Sequence, residues 1–429
     1  MSRFTLSLAI AAIGGLTACG GGSNSPAASG VGANGSLLSQ TTVATVSVAE
    51  LNLQATSTGL IALSGPAKCD VTLKSIDYQT PGVHPGEITN STAAVLLPSG
   101  ANCPSGPAPL LAYAHGTEVS KTFTLAKVDN PETALLMSLY AAQGYVVVAT
   151  DYLGYGGSRY PYHPYLHADS EATSVIDSIR AARSVANAAG VPLSGKVMLT
   201  GYSQGGHASM AAHRAIERDL PTEINVVAGG HMAGPYNLAQ AIVEGATVPV
   251  AAGQFFAPFF ITAWQKIYGG LYLTPGEVFR APYAADIENI FPGSFDYTTM
   301  LEAGKVPADV NYLPVLFQPA YLADLQGNPS SPTVQAARRN TLLGWNPKSR
   351  MALCSGLQDP TVGFTLHARA AQADFASRGI AVPVIDVDPI VRGLAAASGE
   401  PVDLEQYHAI TAPPLCMVAL REQLFDPAR

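Results

Sequence analysis

The hexapeptide Gly201-Tyr202-Ser203-Gln204-Gly205-Gly206 constrains this chain more than any other stretch. It follows Lys196-Val197-Met198-Leu199-Thr200, which reads as a strand, and runs into residues 207–216, which read as a helix. A strand that turns directly into a helix leaves no room for side chains on either flank of the turn. The central residue is held in a strained backbone conformation with its side chain exposed. Glycine on both flanks meets that demand, and Ser203 becomes the candidate nucleophile. The backbone N–H of Gln204, at the helix N-terminus, then points at an oxygen that turns negative during acyl transfer, and the local dipole assists.

The surrounding pattern is that of an α/β protein with a mostly parallel sheet. Short apolar, β-branched runs at 110–114, 145–150 and 196–200 alternate with helical spacing at 131–143, 170–189 and 207–216. Pro131 sits in the first turn of its helix and Gly144 just past the end. In the helix at 170–189, Ala172, Val175, Ile176 and Ile179 fall on one face. A further strand is predicted at 224–228, after which the alternation stops. Residues 234–346 carry Pro, Gly and exposed-looking aromatics, Phe255, Phe256, Phe259, Phe260, Trp264, Tyr268 and Tyr272, and read as an inserted helical subdomain. Alternation resumes with a strand at 350–353, a helix at 363–377 and a strand at 382–387. Upstream, 69–79 and 87–97 read as antiparallel strands.

A serine nucleophile on such a turn goes with the chain order nucleophile, acid, base. His408 is the only histidine beyond the last predicted strand. It lies in Gln406-Tyr407-His408-Ala409, before a Pro-Pro pair, and reads as a loop residue able to reach Ser203. His367 is the rival, but its helical context marks it as a surface or packing residue. Asp359, in the loop Ser355-Gly356-Leu357-Gln358-Asp359-Pro360, is the candidate acid, with Asp386 and Asp388 as alternatives. The second oxyanion donor is expected from the loop His115-Gly116-Thr117 after the 110–114 strand: the Thr117 backbone N–H, with His115 positioning it.

The N-terminus opens with a basic residue, an apolar run and Leu16-Thr17-Ala18-Cys19. This reads as an export signal, too short to span a bilayer. Cys19 after Leu-Thr-Ala looks like the lipobox of bacterial lipoproteins, which implies lipidation there. Gly20, which is not Asp, implies by the same resemblance the outer membrane, on its periplasmic or cell-surface face. Residues 20–40, rich in Gly, Ser and Asn, read as a flexible tether. Four further cysteines, Cys69, Cys103, Cys354 and Cys416, suit a disulfide-permissive compartment and allow three pairings. Cys69 with Cys103 and Cys354 with Cys416 are favoured, because each pair joins neighbouring parts of one fold. A net charge of −8 with 23 basic residues spread thinly gives no patch for a phosphate backbone, which argues against nucleic acid as a partner. His163 and His167 have metal-like spacing but no Cys or acidic partners nearby, so no metal site is read there, and the chemistry needs no cofactor.

Taken together, these segments resemble the secretory lipase family. The resemblance runs through Ala114-His115-Gly116-Thr117, Thr150-Asp151-Tyr152-Leu153-Gly154, His163-Pro164-Tyr165-Leu166, residues 177–183 and Gly201 to His207. It returns more weakly at Asp359, where the Gly-x-x-Asp pattern with a following Val is met by Gly356 to Val362, and at His408. It implies an α/β-hydrolase fold in the order signal peptide 1–19, tether 20–40, core 41–233, helical lid 234–346 and core 347–429. Asp151 and Tyr152 are then expected to face the substrate pocket, with His115 and Tyr202 completing the set of pocket candidates. The reading is a serine esterase or lipase for esters with apolar acyl or aryl groups. An exported serine peptidase of the same fold and an inactive surface binding protein are the alternatives.

Overall fold

The computed structural model describes residues 33–429, so the signal reading and Cys19 lie outside the described residues. Nine strands are formed by β1 (Leu37–Val46), β2 (Asp70–Pro81), β3 (Ile88–Ser99), β4 (Ala108–Ala114), β5 (Val146–Thr150), β6 (Leu193–Tyr202), β7 (Asn225–Met232), β8 (Arg350–Ser355) and β9 (Val384–Asp386). They make one sheet in the order β1-β2-β3-β5-β4-β6-β7-β8-β9. The first three strands and the β3–β5 pair are antiparallel, and every pair from β5 to β9 is parallel. This is the α/β-hydrolase architecture.

Burial explains why the central strands read as continuous apolar runs. All five residues of β5 are buried, since helices cover both faces of the sheet. Val146 and Val148 pack on the side of Val175 and Ile179, whereas Val147 and Ala149 face Met417 and Leu420. The helix after β4 spans Pro131–Leu139, started by Asn130, whose side chain accepts from the Glu132 and Thr133 N–H groups. A separate tight turn, Ala141–Gln143, and Gly144 at φ 93° follow, so the single helix expected at 131–143 is broken in two. Ala168–Ala188 and Gln204–Asp219 are the other crossover helices.

The tether boundary expected at residue 40 moves back, because β1 starts at Leu37 and pairs with β2. As an edge strand with mostly exposed side chains it carries no apolar alternation to read.

Between β7 and β8 the chain forms a series of helices, including Leu238–Gly245, Gly253–Tyr268, Tyr297–Glu302, Pro319–Gly327 and Pro332–Asn340. Its aromatics are not exposed as expected. Phe255, Phe259, Trp264 and Tyr272 are buried in the hydrophobic core cluster, where Phe259 stacks on Tyr165 and Phe291. Both favoured disulfides are present, Cys69–Cys103 and Cys354–Cys416. No described helix is long and apolar enough to cross a membrane.

Candidate active site

The order of the sheet reverses around β4, which lies between β5 and β6, and the loops after β4 and β6 therefore open into one crevice. In the turn after β6, Ser203 adopts φ 58° and ψ −120°. The glycines around it are required by close backbone approaches. A Cβ on Gly205 would lie 1.8 Å from the Ala114 carbonyl oxygen, one on Gly201 2.2 Å from the Gly205 oxygen, and one on Gly206 2.4 Å from the Met232 oxygen. Such contacts clamp the turn between β4 and β7.

Ser203 Oγ lies 2.8 Å from His408 Nε2, and His408 Nδ1 lies 2.7 Å from Asp359 Oδ2. Three residues read from separate parts of the sequence are thus joined in one hydrogen-bonded chain. Asp359 is held by its other oxygen, Oδ1, which accepts from the Thr361 and Val362 N–H groups. His408 is not in a loop. It belongs to a wide helical turn, Tyr407–Thr411, that runs into the helix Ala412–Leu420. The proline pair that suggested a loop sits in the first turn of that helix, where a missing N–H costs nothing.

The rival residues occupy supporting positions. Asp386 accepts from the Leu357 N–H, and Asp388 accepts from Gln358 Nε2 and the Tyr407 hydroxyl. Asp386 thereby touches the backbone of the loop holding Asp359, and Asp388 links that loop to the turn carrying His408. His367 is buried in the cavity wall, its Nδ1 accepting from the Asn237 N–H, rather than on the surface.

The loop after β4 faces Ser203: a Cβ on Gly116 would stand 3.8 Å from Ser203 Cβ. The backbone N–H groups of Thr117 and Gln204 have no hydrogen-bond partner among the described residues. Burial pushes His115 down to about 4, so its ring is neutral at neutral pH, and Nδ1 is 2.6 Å from the Gly116 carbonyl oxygen. A donor there holds the peptide plane whose opposite edge is the Thr117 N–H. Behind the loop, the Tyr113 hydroxyl donates to Glu132, whose carboxyl burial pushes up to about 7.

Of the expected pocket residues, His115, Asp151, Tyr152 and Tyr202, none lines the cavity beside Ser203. Their polar atoms are engaged by the surrounding framework instead. Asp151 accepts from Thr92, Thr124 and the Leu125 N–H, and the Tyr152 hydroxyl donates to the His115 carbonyl from a backbone at φ 63°. The Tyr202 hydroxyl stands 3.5 Å from His408 Nδ1.

Sequence reasoning missed a buried network beneath Gln204. The Glu171 carboxylate accepts from the Gln204 side-chain amide at 2.8 Å and contacts His207 Nδ1 at 2.6 Å. The amide also donates to His163 Nε2, at 2.7 Å. Burial pushes His163 down to about 3, and its Nδ1–H donates to the Leu153 carbonyl. His167, pushed down to about 4 by burial, bonds Ser170 Oγ through Nδ1. Glu171 was legible as a charge on the apolar stripe of its helix, one position before Ala172.

The cavity beside Ser203 has a volume of about 360 Å³, and Leu238, Ile242, Phe256, Phe260 and Leu325 are among its apolar lining residues. Ser203 and Gln204 line it directly.

The sequence profile of the family described as Secretory lipase matches residues 121–259. The rice cell wall degrading esterase LipA from Xanthomonas oryzae is 37% identical and superposes with a TM-score of 0.84, covering 93% of this chain and 100% of that one. Lipase A from Moesziomyces aphidis is 30% identical over 128 residues, which are 30% of this chain and 25% of that protein, so the match spans a quarter of that relative's length. Candida antarctica lipase A in its closed state shares the fold at 18% identity, with a TM-score of 0.59 over 89% of this chain and 84% of that one. Fold and relatives define a carboxylic ester hydrolase of the α/β-hydrolase class. Within that class, the chain belongs to the secretory lipase family.

Proposed function

We propose that the protein is a serine carboxylester hydrolase that cleaves esters with apolar acyl or aryl groups through an acyl-enzyme on Ser203. The observation that carries this reading is the hydrogen-bonded chain Ser203–His408–Asp359 at the wall of an apolar cavity. In the first half-reaction His408 Nε2 takes the hydroxyl proton as Ser203 Oγ attacks the ester carbonyl. The oxyanion is held by the N–H groups of Thr117 and Gln204, and Asp359 stabilises the imidazolium. His408 then gives its proton to the departing alcohol. Water, deprotonated by the same nitrogen, releases the acid and restores Ser203.

The insertion between β7 and β8 roofs the cavity and acts as its lid. A volume of about 360 Å³ suits a group of small-molecule size, and the aliphatic and aromatic walls favour an apolar one. A series of p-nitrophenyl esters of increasing chain length, with a cinnamate-type aryl ester included because one relative is named for degrading plant cell wall, tests the proposal. Turnover should vanish with Ser203→Ala; an active Ser203→Ala enzyme would refute the reading.

We further propose export with lipidation at Cys19, consistent with the secretory description of the family. Cys19→Ser should move the protein from the membrane to the soluble fraction, and unchanged fractionation would count against it.

A further inference from the structure

Two polar groups of Thr117 are held by tyrosines, one from the insertion and one, Tyr165, from the core where it packs against the insertion. The Thr117 carbonyl oxygen accepts from the Tyr297 hydroxyl at 2.7 Å, and its Oγ1 is 2.8 Å from the Tyr165 hydroxyl. Tyr297 opens the inserted helix Tyr297–Glu302, and its ring packs edge-on against Phe255 of the Gly253–Tyr268 helix, centroids 5.0 Å apart. Tyr165 is stacked on Phe259 of the same helix at 4.4 Å, and Phe259 is stacked in turn on Phe291 at 5.1 Å. Two residues beyond Phe291, the backbone of Gly293 forms a bridge with the segment that follows Thr117. The Gly293 N–H donates to the Val119 carbonyl, and the Lys121 N–H donates to the Gly293 carbonyl. The loop after β4 is therefore pinned by the core on one side and by the insertion on the other.

The two peptide planes that meet at Thr117 have different keepers. His115 holds the plane before its Cα through the Gly116 carbonyl, and Tyr297 holds the plane after it through the Thr117 carbonyl. Fixing both planes fixes φ and ψ at Thr117, and with them the direction of its N–H. Desolvation pushes the Tyr297 hydroxyl well above its usual value, so it remains a donor across the working pH range. An oxyanion donor contributes through preorganisation, and small errors of placement lose much of its effect.

We infer that Tyr297 is a positioning residue for the oxyanion site, acting through Thr117, and that the insertion completes the catalytic apparatus as well as covering the cavity. The inference rests on the reading of Ser203 as nucleophile and Thr117 as oxyanion donor. Removal of an oxyanion donor lowers turnover about 100- to 1000-fold. Loss of its placement, with the donor itself retained, should lower it less, on the order of tenfold.

The test is Tyr297→Phe, which keeps the ring against Phe255 and removes only the hydroxyl. The expected result is a roughly tenfold fall in kcat at nearly constant KM across the chain-length series. An alkyl boronic acid, which forms a tetrahedral adduct on Ser203, should lose affinity by a similar factor, while thermal unfolding shifts little. Phe256→Leu, which alters the cavity wall and leaves Thr117 alone, should instead move KM with chain length. A folded Tyr297→Phe enzyme whose kcat and boronate affinity stay within twofold of the parent overturns the inference, provided Ser203→Ala is inactive in the same assay. If Ser203→Ala is active, the underlying assignment of the site falls, and this inference with it.

Discussion

Replacing Asp359 with Asn changes one atom of the acid and should disable the base. Asp359 Oδ1 accepts from two backbone N–H groups, Thr361 at 2.9 Å and Val362 at 3.0 Å, while Oδ2 accepts from His408 Nδ1 at 2.7 Å. In Asp359→Asn the two N–H donors claim the remaining amide oxygen, so the NH2 group must face His408. An NH2 donor there requires Nδ1 to be the unprotonated nitrogen. The ring proton moves to Nε2, which is then no longer a base for the Ser203 hydroxyl 2.8 Å away. The charge is lost as well. Two unit charges about 4 Å apart at an effective dielectric near 20 interact by about 4 kcal/mol, roughly a 1000-fold effect on rate. With the wrong tautomer added, kcat should fall about 10,000-fold. The assay is steady-state hydrolysis of p-nitrophenyl butyrate, with circular dichroism and thermal unfolding as checks on the fold. Asp386→Asn serves as the control and should leave kcat within about threefold, because Asp386 contacts backbone near the acid loop and not the imidazole. A folded Asp359→Asn enzyme retaining a tenth of parental kcat would show that another group orients His408.

Three more outcomes follow from the geometry. Gly205→Ala places a Cβ 1.8 Å from the backbone oxygen of Ala114, a clash no rotamer relieves, and should cost about 3 kcal/mol or more; soluble, active protein at parental yield would refute it. The double variant Cys354→Ser, Cys416→Ser opens a link across 62 residues and should destabilise the chain by about 4 kcal/mol in chemical denaturation. Since that link ties the end of β8 to the helix following His408, kcat should fall too, and a change in stability alone would place the acid loop outside its influence. Burial raises Glu132 from the usual 4.5 to about 7, so the folded chain binds more protons than the unfolded one in between. Its contribution is therefore intact below about pH 4.5 and declines as pH rises through 7, by up to about 3 kcal/mol, and Glu132→Gln should flatten that dependence in thermal unfolding.

The elements most legible in the sequence were those governed by local sterics or by burial on two faces. The glycines around Ser203 are dictated by closely pressing backbone atoms of β4, β7 and the turn itself, and only glycine satisfies such contacts. The parallel strands were readable because full burial leaves apolar runs. Strand β1 escaped because an edge strand exposed to solvent needs no such run, and its Thr-rich stretch adjoins a segment with the composition of a tether. The aromatics of the insertion looked exposed because nothing in their spacing says which neighbours will cover them.

What the sequence determined by itself is the set of candidate reactive groups and their order: a serine on a forced turn, an aspartate after a late strand and a histidine beyond the last. Tertiary structure alone decided which groups meet. It turned the expected pocket residues Asp151 and Tyr152 into braces for the loop after β4 and brought Glu171 under Gln204. It also set an inserted tyrosine against Thr117, 180 residues away in the chain. The physical reason is one of range. Steric demands and burial act on neighbouring residues and leave a mark in the local pattern, whereas a hydrogen bond between distant side chains depends on how separate elements are stacked.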